Sequence, residues 1–368
     1  MYEKLLKPIF FLFDPEKVHD FFIWFGELLG RFAPCRRLIR WSCNYSHPSL
    51  HARVVGMDFK NPVGLAAGFD KDIRLTRIIP CVGFGLMEVG AVTHFSYGGN
   101  QGMRVARLPK DKSILVYYGL KNIGAEAVEQ KLKNLTFDIP VGINIAKTNR
   151  ADIKGPRSIE DYAATYRMLS KYFAYSTINV SCPNTQDGCS FQEPALLHDL
   201  LERLSSEKKH NPLFLKISSD RSVKEVDDIL AVVDKQRFVD GFIVGNLAKR
   251  REMLHMNSSP EELSRIPNAG ISGQPIRALS TNLIRHIYRK TNGRYTIIGL
   301  GGVFTSEDAY EKIKAGASLI QLITSLIYQG PLVVKKINKG LVNLLAQDGY
   351  AHISDAVGKE NHIDNNRI

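Results

Sequence analysis

From Asn61 onward the chain repeats one unit, a short apolar run followed by a segment of helical period. No other feature restricts the fold as much. The apolar runs fall at 62–67, 85–90, 140–145, 176–180, 213–217, 241–244, 295–300 and 319–322. Between most of them lie helix-like stretches, at 125–135, 161–173, 194–204, 223–233, 279–290, 306–315 and 332–345. Short β-branched runs with no polar alternation read as strands buried on both faces, which is the pattern of a parallel sheet covered by helices. Eight such units over about 270 residues predict an α/β chain closed into a (β/α)8 TIM barrel. An open doubly wound sheet is the alternative, but Leu65-Ala-Ala-Gly68 lacks the GxGxxG spacing of its phosphate fingerprint. Before the barrel, 52–59 with Gly56 reads as a hairpin that plugs the lower end.

Residues 1–45 have a different character. Leu5, Leu6, Ile9, Phe10, Phe11, Leu12 and Phe13 make an apolar block too short to span a bilayer, which needs roughly 20 residues. Asp14-Pro15 then reads as an N-cap with proline at the first helical position. The helix that follows carries Val18, Phe21, Phe22, Trp24, Phe25, Leu28 and Leu29, ringed by Lys4, Lys7, Lys17, Arg31, Arg36, Arg37 and Arg40. Two helices, apolar on one side and basic at the flanks, suit a membrane-associating extension; a helical hairpin packed on the barrel fits the same pattern. Acidic residues interrupt the stretch and no small-residue cleavage site follows, which excludes a secretory signal. The expected organisation is a helical extension at 1–45, the barrel at 46–348 and a polar tail at 349–368, with its last ten residues unordered.

The formal charge of +12 invites a nucleic-acid reading, but Lys and Arg are dispersed and no stacked-aromatic motif accompanies them. Attraction to an anionic membrane surface accounts for the excess equally well. Five cysteines, Cys35, Cys43, Cys81, Cys182 and Cys189, form no CxxC pair and no Cys/His metal spacing, so no metal site and a reducing compartment are expected.

Ligands of parallel α/β folds bind at the C-terminal ends of the strands. The residues there form a set: Gly68-Phe-Asp-Lys71 after strand 1, Asn144 and Lys147 after strand 3, and Asn179, Cys182 and Asn184 around strand 4. Lys216 follows on strand 5, Gly245-Asn246 on strand 6, Gly299-Leu-Gly-Gly302 on strand 7, and Thr324-Ser325 on strand 8. Buried amides and amines need partners, so their convergence implies a polar ligand. The glycines after strand 7 and the hydroxyls after strand 8 suit a phosphate, and Gly270-Ile-Ser-Gly273 reads as a turn adding free amides. A phosphorylated planar cofactor fits this inventory, with Lys216 placed to stabilise negative charge on a flavin ring. Cys182, between Asn179 and Asn184, is the candidate for chemistry, although most free cysteines simply pack.

In these residues the chain resembles the dihydroorotate dehydrogenases, specifically the quinone-dependent, membrane-associated class. The likeness runs from Asp14-Pro-Glu-Lys-Val-His-Asp20 to Gln329-Gly-Pro331. It includes Lys60-Asn-Pro-Val-Gly-Leu-Ala-Ala-Gly-Phe-Asp-Lys-Asp72, Gly142-Ile-Asn-Ile145, Asn179 to Thr185, Ile271-Ser-Gly273, Ile298-Gly-Leu-Gly-Gly302 and Ala315-Gly-Ala-Ser318. The resemblance implies FMN bound by Ala67, Gly68, Asn144, Asn179, Lys216, Gly273, Gly302 and Thr324. It implies dihydroorotate held by Lys71, Asn179, Asn184 and Asn246, with Cys182 as the base that takes a proton from C5 while hydride leaves C6 for the flavin, and Thr185 as a proton relay. Electrons would pass to a membrane quinone through the N-terminal helices, and the protein would lie peripherally on the cytoplasmic side of the cell membrane, serving pyrimidine biosynthesis.

The chain departs from the family pattern at several points. Cys182 replaces the serine usual in the quinone-dependent class, and a thiol, with a reference pKa of about 8.5, is the easier base. Val116-Tyr-Tyr-Gly-Leu-Lys-Asn122 stands where the family reads Asn-Arg-Met-Gly-Phe-Asn-Asn, so Val116 replaces a substrate-holding amide. Leu247 replaces a hydroxyl beside Asn246, and Ala91, Ala146 and Ile323 replace residues that touch or back the flavin. Two alternatives follow: an FMN oxidoreductase for a less polar substrate, or a non-catalytic membrane-associated flavoprotein.

Overall fold

The structure, a computed structural model, describes residues 2–181 and 190–362. The N-terminal stretch is helical. A turn over Tyr2–Leu6 runs into α1 (Lys7–Phe11), followed by α2 (Pro15–Arg31) and α3 (Ala33–Cys43). Asp14 caps α2, its carboxylate accepting the N–H groups of Glu16 and Lys17 at 3.0 and 2.9 Å. Three helices thus stand where two are expected. Arg36, Arg37 and Arg40, read from the sequence as flanks, ride on α3, which Pro34 opens from its first turn. The hairpin β1 (Ala52–Val54) and β2 (Met57–Phe59) forms as expected, turning at Val55 and Gly56.

Eight parallel strands close the barrel. They are β3 (Val63–Leu65), β4 (Leu86–Val92), β7 (Val141–Ile145), β8 (Tyr175–Asn179), β9 (Leu213–Ile217), β10 (Gly241–Val244), β12 (Thr296–Leu300) and β13 (Leu319–Leu322), with β13 pairing back to β3. All eight overlap the predicted runs, because each is buried along nearly its whole length and is rich in apolar residues. The outer layer is α4 (Ile79–Val82), α5 (Ala125–Leu132), α6 (Pro156–Leu169), α7 (Pro194–Ser205), α8 (Val223–Gln236), α9 (Pro260–Ser264), α10 (Arg277–Thr291), α11 (Ser306–Ala315), α12 (Thr324–Gln329) and α13 (Val333–Asp348). Their buried faces, such as Val226, Ile229, Leu230 and Val233 on α8, recur at helical spacing and seal the barrel from water.

A second sheet covers part of the mouth. Strands β5 (Val105–Leu108), β6 (Ser113–Val116) and β11 (Gly270–Gly273) pair antiparallel in the order β11-β6-β5. The expected Gly270–Gly273 turn is therefore a strand. Its amides meet β6, roughly 150 residues away in the chain, and a partner so remote leaves no local trace.

One glycine on the barrel floor has a specific role. A Cβ at Gly142 would fall within the Tyr175 ring, so its absence lets Tyr175 lie across the interior beneath the site.

Candidate active site

The floor of the site is built by strand residues that point inward at the C-terminal ends. Glu88 on β4 is wholly buried. Its carboxylate accepts Asn144 Nδ2 at 2.7 Å, Gln321 Nε2 at 3.1 Å, Thr177 Oγ1 at 3.2 Å and Tyr175 OH at 3.4 Å. Lys216 Nζ stands 3.8 Å from the same carboxylate. Such a buried pair survives only where further donors satisfy the remaining lone pairs, and here they do. Above Glu88, Asn144 Oδ1 accepts Asn179 Nδ2 at 3.0 Å. Asn179 Oδ1 accepts Ser181 Oγ at 3.1 Å, and Ser181 Oγ accepts Asn246 Nδ2 at 2.8 Å.

The rim is made by loops. The loop after β3 carries Ala67, Gly68 and Lys71, held from above by His19 of α2, whose Nε2 donates to the Phe69 carbonyl at 2.8 Å. The Asp70 carboxylate accepts the backbone N–H groups of Arg74 and Leu75 at 2.8 to 3.0 Å. Lys71 instead lays its ammonium over the face of Tyr118, 3.2 Å from the ring centre. Burial, helped by the nearby charge of Lys121, lowers the Lys71 pKa to about 7. On the opposite rim Thr324 and Ser272 share a hydrogen bond at 3.0 Å. Gly302 adopts a φ of 69°, and a Cβ there would strike Arg277, so only glycine brings this backbone to the rim.

One cavity of about 490 Å³ joins these groups. Its lining includes Ala67, Gly68, Lys71, Asn144, Asn179, Lys216, Asn246, Gly273, Gly302 and Thr324, which are all the predicted ligands among the described residues. Val116, Leu247, Ala91 and Ile323 line it too, so the departures from the family pattern face the ligand space. Ala146 is buried outside it, and Lys147 turns to the Ile153 carbonyl at 3.2 Å rather than to the cavity. Cys182, Asn184 and Thr185 lie outside the described residues.

The cavity continues upward between the barrel mouth and α1–α2, where Phe10, Phe11, Val18, Phe22, Phe25 and Leu29 make an apolar wall. Arg107 stands in this wall, stacked 4.5 Å from the Phe11 ring centre and donating to the Phe13 carbonyl at 2.9 Å. Glu16 ties α2 to the mouth through a forked bond with Arg104, at 2.6 and 2.9 Å, and through Lys121 at 3.1 Å.

This arrangement agrees with what the chain is similar to. A family model described as dihydroorotate dehydrogenase matches residues 49–345. The chain belongs to the dihydroorotate dehydrogenase family. A dihydroorotate dehydrogenase (quinone) of Nostoc punctiforme is 38% identical, with 98% of each chain covered. One from Crocosphaera subtropica is 41% identical, covering 87% of this chain and 85% of the relative. A solved DHODH from Eimeria tenella in complex with ferulenol superimposes with a TM-score of 0.79 at 30% identity, covering 95% and 96% of the two chains.

Sequence reasoning missed the residues that link the family's barrel to its N-terminal helices, namely Glu16, His19, Arg104, Arg107 and Tyr118. Arg104 and Arg107, three apart in an excursion between barrel strands, were the available signal. Glu88 and Gln321 were also missed, although a charge and an amide inside fully apolar strand runs were visible in the sequence.

Proposed function

We propose that this protein oxidises dihydroorotate to orotate at the barrel mouth and passes the electrons to a membrane quinone. One observation carries the reading: a single cavity has a polar floor at the strand ends and an apolar upper wall built by the N-terminal helices. A charged pyrimidine suits the first half and a lipid-soluble quinone the second.

The residues fit FMN. Two buried polar atoms in the lining, Gln321 Oε1 and Ser325 Oγ, have no hydrogen-bond partner among the described residues, as expected where a ligand supplies one. Ala67, Gly68, Asn144, Asn179, Lys216, Gly273, Gly302 and Thr324 would hold the cofactor, its phosphate against the glycine-lined rim. When bound, FMN supplies hydride acceptance from the substrate and electron transfer to the quinone. Lys71 and Asn246, with Asn179 and Asn184, orient the substrate. The Cys182 thiolate takes the C5 proton, and Thr185 relays it onward. Arg107 offers a hydrogen bond to a quinone carbonyl within an otherwise apolar wall.

No helix among the described residues is long and apolar enough to cross a membrane. Leu12 and Phe13 between α1 and α2, Phe21 and Trp24 on α2, and Leu38 and Trp41 on α3 nevertheless stand exposed, as do Lys4, Lys17, Arg37 and Arg40 of the same N-terminal stretch. This surface supports peripheral docking on an anionic leaflet, on the cytoplasmic side.

Anaerobic addition of dihydroorotate to FMN-loaded protein tests the reading. Bleaching of the flavin, reversed by a quinone in detergent, is expected; a flavin that stays oxidised refutes it. Cosedimentation with vesicles rich in anionic lipid tests the docking.

A further inference from the structure

The asparagines of the site are ambivalent groups. Each amide has a donor end and an acceptor end, and rotating it by half a turn exchanges them with no change of shape. A site that reads a ligand through amides therefore needs something to fix their direction. Glu88 is buried, ringed by Asn144, Gln321, Thr177 and Tyr175, and faced by Lys216 at 3.8 Å, an environment composed for an anion. An ionised carboxylate can only accept. Asn144 must then present its NH2 to Glu88, which leaves Oδ1 to accept from Asn179 at 3.0 Å. Asn179 must in turn present its oxygen to Ser181, whose hydroxyl accepts from Asn246 at 2.8 Å. The direction propagates from β4 through β7 and β8 to the loop after β10.

The same logic applies to Gln321. Its NH2 is drawn to Glu88 at 3.1 Å and to Tyr175 OH at 3.2 Å, so its oxygen is the end left over. That oxygen is fully buried, without a partner among the described residues, and on a residue lining the cavity.

We propose that Glu88 is a positioning residue: as an obligate acceptor beneath the site it sets the direction of the Asn144–Asn179–Ser181–Asn246 chain and turns the Gln321 carbonyl toward an N–H donor of the bound flavin. Glu88 lies below the ligand space and acts through these groups. The inference rests on the flavin-site reading above.

The test separates shape from direction. Glu88→Gln keeps the size and removes the obligate acceptor; Glu88→Asp keeps the acceptor and loses one methylene. FMN affinity is read by flavin fluorescence quenching on titration of the flavin-stripped full-length proteins. Glu88→Gln is expected to bind FMN about tenfold to a hundredfold more weakly than wild type, since a misdirected buried amide leaves a polar group unpaired. Glu88→Asp is expected to lie nearer wild type. If Glu88→Gln binds as well as Glu88→Asp or better, size alone matters and the proposal is overturned. Should Glu88→Gln fail to fold, Gln321→Leu, which deletes the acceptor left facing the cavity, is expected to weaken FMN by a similar factor; unchanged affinity overturns the proposal. Wild-type protein that binds no FMN would instead remove the flavin-site reading, and this inference with it.

Discussion

Lys71 offers the sharpest check on the substrate site, because its charge changes within the working pH range. Among the described residues no carboxylate lies within ion-pair distance of its ammonium, which rests on the Tyr118 ring 3.2 Å away. Burial is the main reason its pKa falls from 10.5 to about 7, and Lys121 adds repulsion, while Glu16, Asp20 and Asp72 oppose both. A lysine with a lowered pKa is cationic below that value and loses its charge as pH rises through it. The substrate and its product are carboxylates, so they need the cationic form. One pH unit above the pKa, about nine in ten of these side chains are neutral, and binding weakens roughly tenfold, or about 1.4 kcal/mol. Orotate binding to FMN-loaded protein, followed by the change in flavin absorbance, should therefore be flat below about pH 7 and weaken toward about pH 8.5. Lys71→Arg keeps its charge throughout, since a guanidinium titrates above about 12, and its binding curve should lose this slope whatever its absolute affinity. A wild-type curve flat across the whole interval, or a Lys71→Arg curve with the same fall, refutes the reasoning.

Other expectations follow from single contacts. Lys312 is wholly buried, with Nζ donating to Arg277 O at 3.2 Å, Ser280 Oγ at 3.2 Å and Thr281 Oγ1 at 2.9 Å, and burial lowers its pKa from 10.5 to about 7. The unfolded chain thus binds more protons between these values, so wild-type stability should rise relative to Lys312→Met as pH is raised from about 7 toward 10, as read by thermal midpoints. Gly142→Ala places a Cβ in the Tyr175 ring and should destabilise the barrel by about 1–3 kcal/mol in denaturant titrations, with partial recovery in the Tyr175→Leu background. Arg107→Leu should slow reoxidation of the flavin by quinone about tenfold or more and leave its reduction by dihydroorotate unchanged in rapid-mixing experiments. Equal loss in both halves would place Arg107 in the wrong part of the cavity.

What could be read from the sequence, and what could not, divides by the range of the interactions involved. Each barrel strand is a local statement: a run such as Gly241–Val244 is apolar on both faces and leaves no other way to bury itself. The strand-end polar residues were legible for the same reason. Asn144, Asn179 and Lys216 are expensive beside such runs unless something in the fold gathers them, and the cavity does. The sheet formed by Val105–Leu108, Ser113–Val116 and Gly270–Gly273 was not legible, because its two halves have no common local pattern and stand roughly 150 residues apart in the chain. The same holds for Glu16, which looks like an ordinary first-turn acid of α2 and acquires its meaning from Arg104 and Lys121, 88 and 105 residues away. Glu88 is the instructive case, since its position within an apolar run announced that something must surround it. The sequence could not say whether those surroundings were a ligand or a ring of protein donors. The distances show protein donors, so the residue most conspicuous in its strand governs the ligand space from beneath it.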